Sequence, residues 1–191
     1  MKRINIVSTR LFKIQRTLIL GIVMTLACLG ATAQNRPVEI RDDVAEAEFN
    51  GNDYTIFSYT MKDGSFGYYL GLGGYVNIPG TPLAVDGITE TCIFLGTTAA
   101  EALATLDTIV ACFDMESGAT RDFPAMLAIG RPLKNDGIAV CSVQKLIFSK
   151  SLCFRFVNGD YKTESYITKS TVKSLRTSFK FNMRKELKNN N

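Results

Sequence analysis

The chain contains no histidine and no tryptophan in 191 residues, and only five prolines. Without histidine, a Ser-His-Asp or Cys-His nucleophile pair is excluded, as are His-ligated zinc and iron sites. Histidine is also the side chain whose charge changes nearest neutral pH, so its absence weighs against acid–base catalysis in general. The five cysteines show no C-x-x-C spacing, which leaves a thiol-redox motif without support. There is no internal repeat and no long low-complexity tract; only Asn189-Asn190-Asn191 reads as frayed.

Long apolar runs are missing too. The most continuous block is 18–29 (LILGIVMTLACL), which follows five basic residues, Lys2, Arg3, Arg10, Lys13 and Arg16, with no acidic residue among them. Gly30-Ala31-Thr32-Ala33 comes next, placing Ala31 and Ala33 at the minus-three and minus-one positions of an A-x-A cleavage site. The pattern predicts a cleavable signal peptide over 1–33 and an exported chain beginning at Gln34, in the periplasm, at the cell surface or outside the cell. A membrane anchor needs about 20 apolar residues, and this block is shorter. Lipidation at Cys28 fails on Thr25 and Leu26, although Ala27 fits.

Removing the leader changes the composition. The full chain carries 22 basic and 18 acidic residues, and without the five basic leader residues it holds 17 against 18. Its excess positive charge therefore belongs to the signal, and nucleic-acid binding loses its main support. The rest is polarised: residues 34–143 carry 6 basic and 15 acidic groups, and residues 144–191 carry 11 and 3. Such polarity predicts either an anionic partner for the tail or complementarity between the two halves. Residues 34–191 fit one domain with a sizeable core. Cys92, Cys112, Cys141 and Cys153 make an even count, and export makes disulfides an expectation, with the shortest loops given by Cys92–Cys112 and Cys141–Cys153.

Glycine turn signals organise the chain into hairpins. Asn50-Gly51 separates VAEAEF (44–49) from YTIFSYT (54–60), Asp63-Gly64 separates the latter from SFGYYLGL (65–72), and Asn158-Gly159 separates LCFRFV (152–157) from YKTESYI (161–167). A two-residue loop at Asp63-Gly64 pairs Met61 with Phe66, Tyr59 with Tyr68 and Phe57 with Leu70 on one apolar face. Ser58, Thr60, Gly67, Tyr69 and Gly71 then share the other. A two-residue Asn158-Gly159 loop sets Arg155 opposite Lys162, which argues for a longer loop that includes Asp160. Residues 75–78, 88–95, 123–129 and 138–148 read as further strands, with a break at Pro79-Gly80-Thr81-Pro82 and a turn at Asp136-Gly137.

Two segments read as helices. Thr98 and Glu101 form a capping box ahead of a helix over about 98–113, with Leu103, Leu106, Val110 and Phe113 as its buried stripe. From about 171, Val172, Leu175, Phe179, Met183 and Leu187 share one helical face, with Ser170 as cap and Phe181 left exposed. Residues 179–184 also alternate as a strand does, but the long stripe favours helix. The expected fold is α+β: a mostly antiparallel sheet of hairpins with one central helix and a C-terminal amphipathic helix packed on it.

Few residues carry chemistry. Gly71-Leu72-Gly73-Gly74 follows a strand, but residues 75–79 cannot open a phosphate-binding helix, so these glycines mark a bulge or close strand packing. Ser142-x-x-Lys145 and Ser170-x-x-Lys173 match S-x-x-K without the accompanying S-D-N or K-T-G. Asp42, Asp43, Glu46 and Glu48 read as a solvated charged face, and no acidic run matches a calcium loop. Tyr54, Tyr69 and Tyr75 are the candidate ligand contacts, for carbohydrate, peptide or an envelope component, since an exposed tyrosine joins an apolar ring to a polar tip. Lys173, Arg176, Lys180 and Arg184 flank the C-terminal apolar stripe as candidate contacts for an anionic partner or membrane surface. No cofactor or metal is implied. The sequence therefore favours an exported, non-catalytic binding or structural module, with a histidine-free hydrolase using carboxylates or a Ser/Lys pair as the alternative. A hydrolase predicts a pocket where such groups converge, and a module predicts a filled core with an exposed patch.

Overall fold

A computed structural model of the chain describes residues 39–49, 52–73, 75–77, 84–85, 89–129, 133–145, 150–158 and 161–189. All of them belong to one unit, Glu39–Asn191. The expected signal peptide over 1–33 and Cys28 lie outside the described residues, as does the break at 79–82. In chain order the elements are β1 (Ile40–Phe49), β2 (Asn52–Thr60), β3 (Phe66–Gly73), β4 (Tyr75–Asn77), β5 (Ala84–Val85), β6 (Thr89–Gly96) and α1 (Ala99–Cys112). There follow β7 (Thr120–Ile129), β8 (Leu133–Lys145), β9 (Lys150–Asn158), β10 (Tyr161–Thr168), α2 (Lys169–Asn182) and α3 (Arg184–Asn189). The fold is the expected α+β, with a ten-stranded antiparallel sheet in the order β1-β2-β3-β6-β7-β8-β9-β10-β4-β5.

Only Gly74 separates β3 from β4, yet β3 pairs with β6 and β4 pairs with β10. One continuous path of chain therefore touches both ends of the series β6-β7-β8-β9-β10, and the sheet curls around a shared interior. Two hydrogen bonds cross that interior between strands that are not neighbours. The Tyr54 hydroxyl donates to the Tyr166 carbonyl at 2.8 Å, and the buried hydroxyls of Thr91 and Thr163 bond to each other. Inward-facing Ile56, Leu70, Leu72, Ile93, Leu127, Phe154 and Phe156 are wholly buried with Leu106 and Ile109 of α1 and Val172, Leu175 and Phe179 of α2. Alternation along the strands sends the next residues to the opposite face. There Phe57, Tyr59, Tyr69, Cys92, Ala128 and Leu133 form a second buried cluster. The Arg41 guanidinium lies 3.8 Å over the Phe57 ring and reaches Glu90 at 2.8 Å. Gly71 makes room for this bridge, since a Cβ there would stand 3.3 Å from Phe57 and 3.5 Å from the Glu90 carboxyl. Close packing, one of the two expected roles of these glycines, thus holds at Gly71.

The capping box of α1 is present as expected. The Thr98 hydroxyl accepts from the Glu101 amide at 3.2 Å, and the Glu101 carboxylate accepts from the Thr98 amide at 3.3 Å. The buried face is rotated from the expected stripe. Ala99, Ala102, Leu106, Ile109 and Cys112 are buried, with Leu103 and Val110 half-buried on its flank. Small alanines let the helix approach the sheet closely, which a count of large apolar residues misses. At the C-terminus the helical reading holds and the strand alternative over 179–184 does not. Thr168, rather than Ser170, caps α2, its hydroxyl accepting from the Thr171 amide at 3.3 Å.

Of four further expectations, three are corrected and one holds. In the β2–β3 hairpin Thr60 pairs with Phe66, Tyr59 with Gly67 and Phe57 with Tyr69. The loop is 61–65, closed by the Met61 amide on the Ser65 carbonyl at 2.8 Å with Gly64 at φ +85°. This one-residue slip sends Tyr59 and Tyr68 to opposite faces. Between β9 and β10, Asn158 pairs with Tyr161 and Arg155 with Glu164. The like-charge pairing of Arg155 with Lys162 is thus avoided, as expected, and Arg155 faces an opposite charge instead; residues 159–160 lie outside the described residues. Asp136 and Gly137 lie inside β8, paired with Met126 and Ala125 of β7, instead of making a turn. Gly137 is there because the Phe156 ring covers it, 2.7 Å from where a Cβ would be. Finally, Cys92, Cys112, Cys141 and Cys153 are all free and buried, so the expected disulfides are absent.

Candidate anionic-surface contact on the C-terminal helices

The C-terminal helices are amphipathic by residue spacing, and the structure shows what each face meets. Val172, Leu175 and Phe179 are buried, with Met183 and Leu187 half-buried against the same core. The Phe179 ring meets Tyr68 edge-on at 5.3 Å between centroids. The hydrogen-bond ladder runs through the α2–α3 junction, from the Met183 amide to the Phe179 carbonyl at 2.9 Å and from the Leu187 amide to the Met183 carbonyl at 3.0 Å. The basic flank therefore continues from one helix to the next.

Polar anchors fix this helix pair to the body. The Asn182 side-chain amide donates to the Val44 carbonyl at 2.6 Å, where β1 is broken by a register shift. Glu186 accepts from the Tyr68 hydroxyl at 2.9 Å and from the buried Ala99 amide at 3.0 Å. Arg176 forms a two-pronged bond to Asp107 of α1, at 2.5 and 3.0 Å, and Lys169 reaches Asp114 at 3.0 Å. Part of the basic tail is thus neutralised by the acidic body, the internal complementarity that the charge polarity predicted.

The rest is not neutralised. Among the described residues, Lys173, Lys180, Lys185 and Lys188 are exposed and have no acidic partner. Phe181 is the most exposed large apolar side chain among them, at 64%, and the Arg184 guanidinium lies 4.8 Å from its ring centre. Of the four basic residues read from the sequence, Lys173, Lys180 and Arg184 remain available and Arg176 is committed to Asp107. Lys185, Lys188 and Phe181 join them. Phe181 was visible in the sequence as the residue the helical face leaves out, but its meeting with Arg184 was not.

The tyrosine candidates do not form a site. Tyr54 and Tyr69 are each 4% exposed and lie on opposite faces of the sheet, which corrects the expectation that they stand exposed together. The register slip explains it, because both faces of this hairpin are packed. The side chain of Tyr75 lies outside the described residues.

Other chemistry-bearing groups are spread out. Glu46, Glu48 and Asp53 line an open cleft of about 330 Å³ with Tyr54 and Thr55, but no group of three or more metal-ligating side chains is found among the described residues. Ser142 and Lys145 lie three apart in β8, so their side chains point to opposite faces. Ser170 is exposed and bonded to Thr168, and Lys173 is exposed, whereas an activated lysine must be desolvated. A cluster the sequence did not reveal lies across β9 and β10. Glu164 accepts from Tyr166 at 2.5 Å, from Arg155 at 3.3 Å and from the Cys153 thiol at 3.3 Å. Chiefly the Tyr166 bond holds Glu164 below the usual carboxylate range, while burial, and then Glu164, pushes Cys153 up to about 11. Reactive cysteines are accessible thiolates; Cys153 is a covered thiol. Comparison with known protein families, curated proteins and solved structures returned no match.

Proposed function

We propose that this chain is an exported, non-catalytic binding module that docks on an anionic lipid surface through the outer face of α2 and α3. The observation that carries this reading is the exposed Phe181 set among cations that the acidic body leaves unpaired. An aromatic ring partitions into the headgroup boundary while neighbouring lysines and arginines meet lipid phosphates. Each such cation contributes about 1 kcal/mol near an anionic surface. Lys173, Lys180, Arg184, Lys185 and Lys188 together suffice for reversible attachment. None of the helices among the described residues is long and apolar enough to cross a membrane, and surface docking needs no span.

Co-sedimentation of residues 34–191, the expected exported chain, with vesicles tests this. Binding is expected to vesicles of mixed phosphatidylcholine and phosphatidylglycerol, to weaken in raised salt, and to be absent with phosphatidylcholine alone. Lys180→Ala with Arg184→Ala removes two cations and lowers affinity by about 30-fold, and Phe181→Ser lowers it further. Equal binding to neutral vesicles, or no effect of the double substitution, overturns the reading. Capture by an acidic polypeptide but not by vesicles would instead identify a protein partner.

A further inference from the structure

The face of the sheet turned away from α1 and α2 carries an apolar patch over β7, β8, β9 and β10. Ile138 is 54% exposed, Val140 36%, Val157 58% and Tyr166 42%. The other large exposed apolar side chains among the described residues, Ile40, Phe66 and Phe181, lie elsewhere. Concentration on one face is what marks an interaction surface, since single exposed apolar residues are ordinary.

The strand register orders this patch into rows. Pro124 pairs with Ile138, and continuing the β8–β9 register one residue past Ala139–Phe156 brings Val157 beside Ile138. In the next row Asp122 pairs with Val140 and Val140 with Arg155. A negative and a positive side chain thus flank Val140 symmetrically, one strand away on each side.

We infer that this face is the interface of a two-fold dimer of the chain, with the axis running along β8. Rotation about that axis exchanges β7 and β9 between copies. Asp122 of each copy then meets Arg155 of the other, Val140 and Ile138 each meet themselves, and Pro124 meets Val157. A two-fold interface must be self-complementary, residue i meeting j while j meets i, and this charge arrangement has that property. Arg155 is available to turn outward, because its side chain is 57% exposed and its 3.3 Å bond to Glu164 lies at the surface. Facing sheets pack about 30° from alignment, which preserves contacts near the axis. The outer face of α2 and α3 is not part of this interface, so the inference stands apart from the lipid reading.

Sedimentation velocity on the full chain across the micromolar range tests it, with circular dichroism as the control for folding. The wild type is expected to be a dimer. Val140→Glu and, separately, Ile138→Glu are expected to be folded monomers. Asp122→Arg alone and Arg155→Asp alone each weaken the dimer at least about tenfold, and the double charge exchange restores it. A monomeric wild type, a dimer that survives either glutamate substitution, or a charge exchange that fails to restore association overturns the proposal.

Discussion

Glu186 does more for this structure than its place in a short terminal helix suggests. One carboxylate oxygen takes the Tyr68 hydroxyl of β3 and the other takes the first amide of α1. That amide belongs to Ala99, which is wholly buried, and a helix start has donors with no partner in the helix itself. Glu186→Ala should therefore cost about 1–3 kcal/mol, the penalty of a buried donor left unpaired. Tyr68→Phe removes one bond without stranding the amide and should cost less. Urea unfolding of both variants checks the order, and equal losses would show that the amide finds another partner. Nothing in the sequence pointed to Glu186, because its partners lie 118 and 87 residues away. The basic residues around it were legible for the opposite reason, since helical spacing is local.

Elements were legible where their signals are local and displaced where a count of loop residues decided the outcome. The α1 start is the first kind: Thr98 and Glu101 are three apart and bond as expected. Thr98→Ala should cost about 1 kcal/mol of stability by thermal or urea unfolding. Glu101 adds a pH dependence. Bonds from Thr97, backbone first, hold its carboxyl below the ordinary value of 4.5. A folded-state value that is depressed favours the fold above 4.5, and this contribution disappears as the pH falls through the folded value. Glu101→Gln should accordingly flatten the acid limb of the stability profile, and an unchanged limb would show the box is not coupled to unfolding. The β2–β3 hairpin is the second kind. Asp63-Gly64 marked the turn correctly, but the five-residue loop moved the register by one. With apolar residues on both faces, the side-chain pattern could not reveal the slip. Tyr54 and Tyr69 were misplaced by that slip, so the sheet candidate is lost and the helical one read from the sequence remains.

At the scale of the whole molecule, the sheet closes on itself through the β3–β4 path, which no periodicity announces because it depends on pairing with β10. The four cysteines are buried and free, and the expected pairs are split between the two sides of the sheet. A disulfide arranged by short loops needs neighbouring positions, whereas Cys92 and Cys153 face outward from strands β6 and β9 and Cys112 and Cys141 face the main core. Burial raises all four thiols above their ordinary value near 9, Cys153 to about 11. The linkage has a definite sign. Above pH 9 the unfolded chain gives up thiol protons that the folded chain retains, so the unfolded state binds fewer protons and stability falls as the pH rises. Each thiol held protonated in this way contributes a slope of up to about 1.4 kcal/mol per pH unit. Thermal unfolding from pH 8 to 11 should show a steady fall that is shallower in Cys92→Ala, after allowing for the alanine variant's lower starting stability. If the two slopes are parallel, Cys92 ionises as readily in the folded protein as in the unfolded chain, and its place in the second cluster is less closed than its burial indicates.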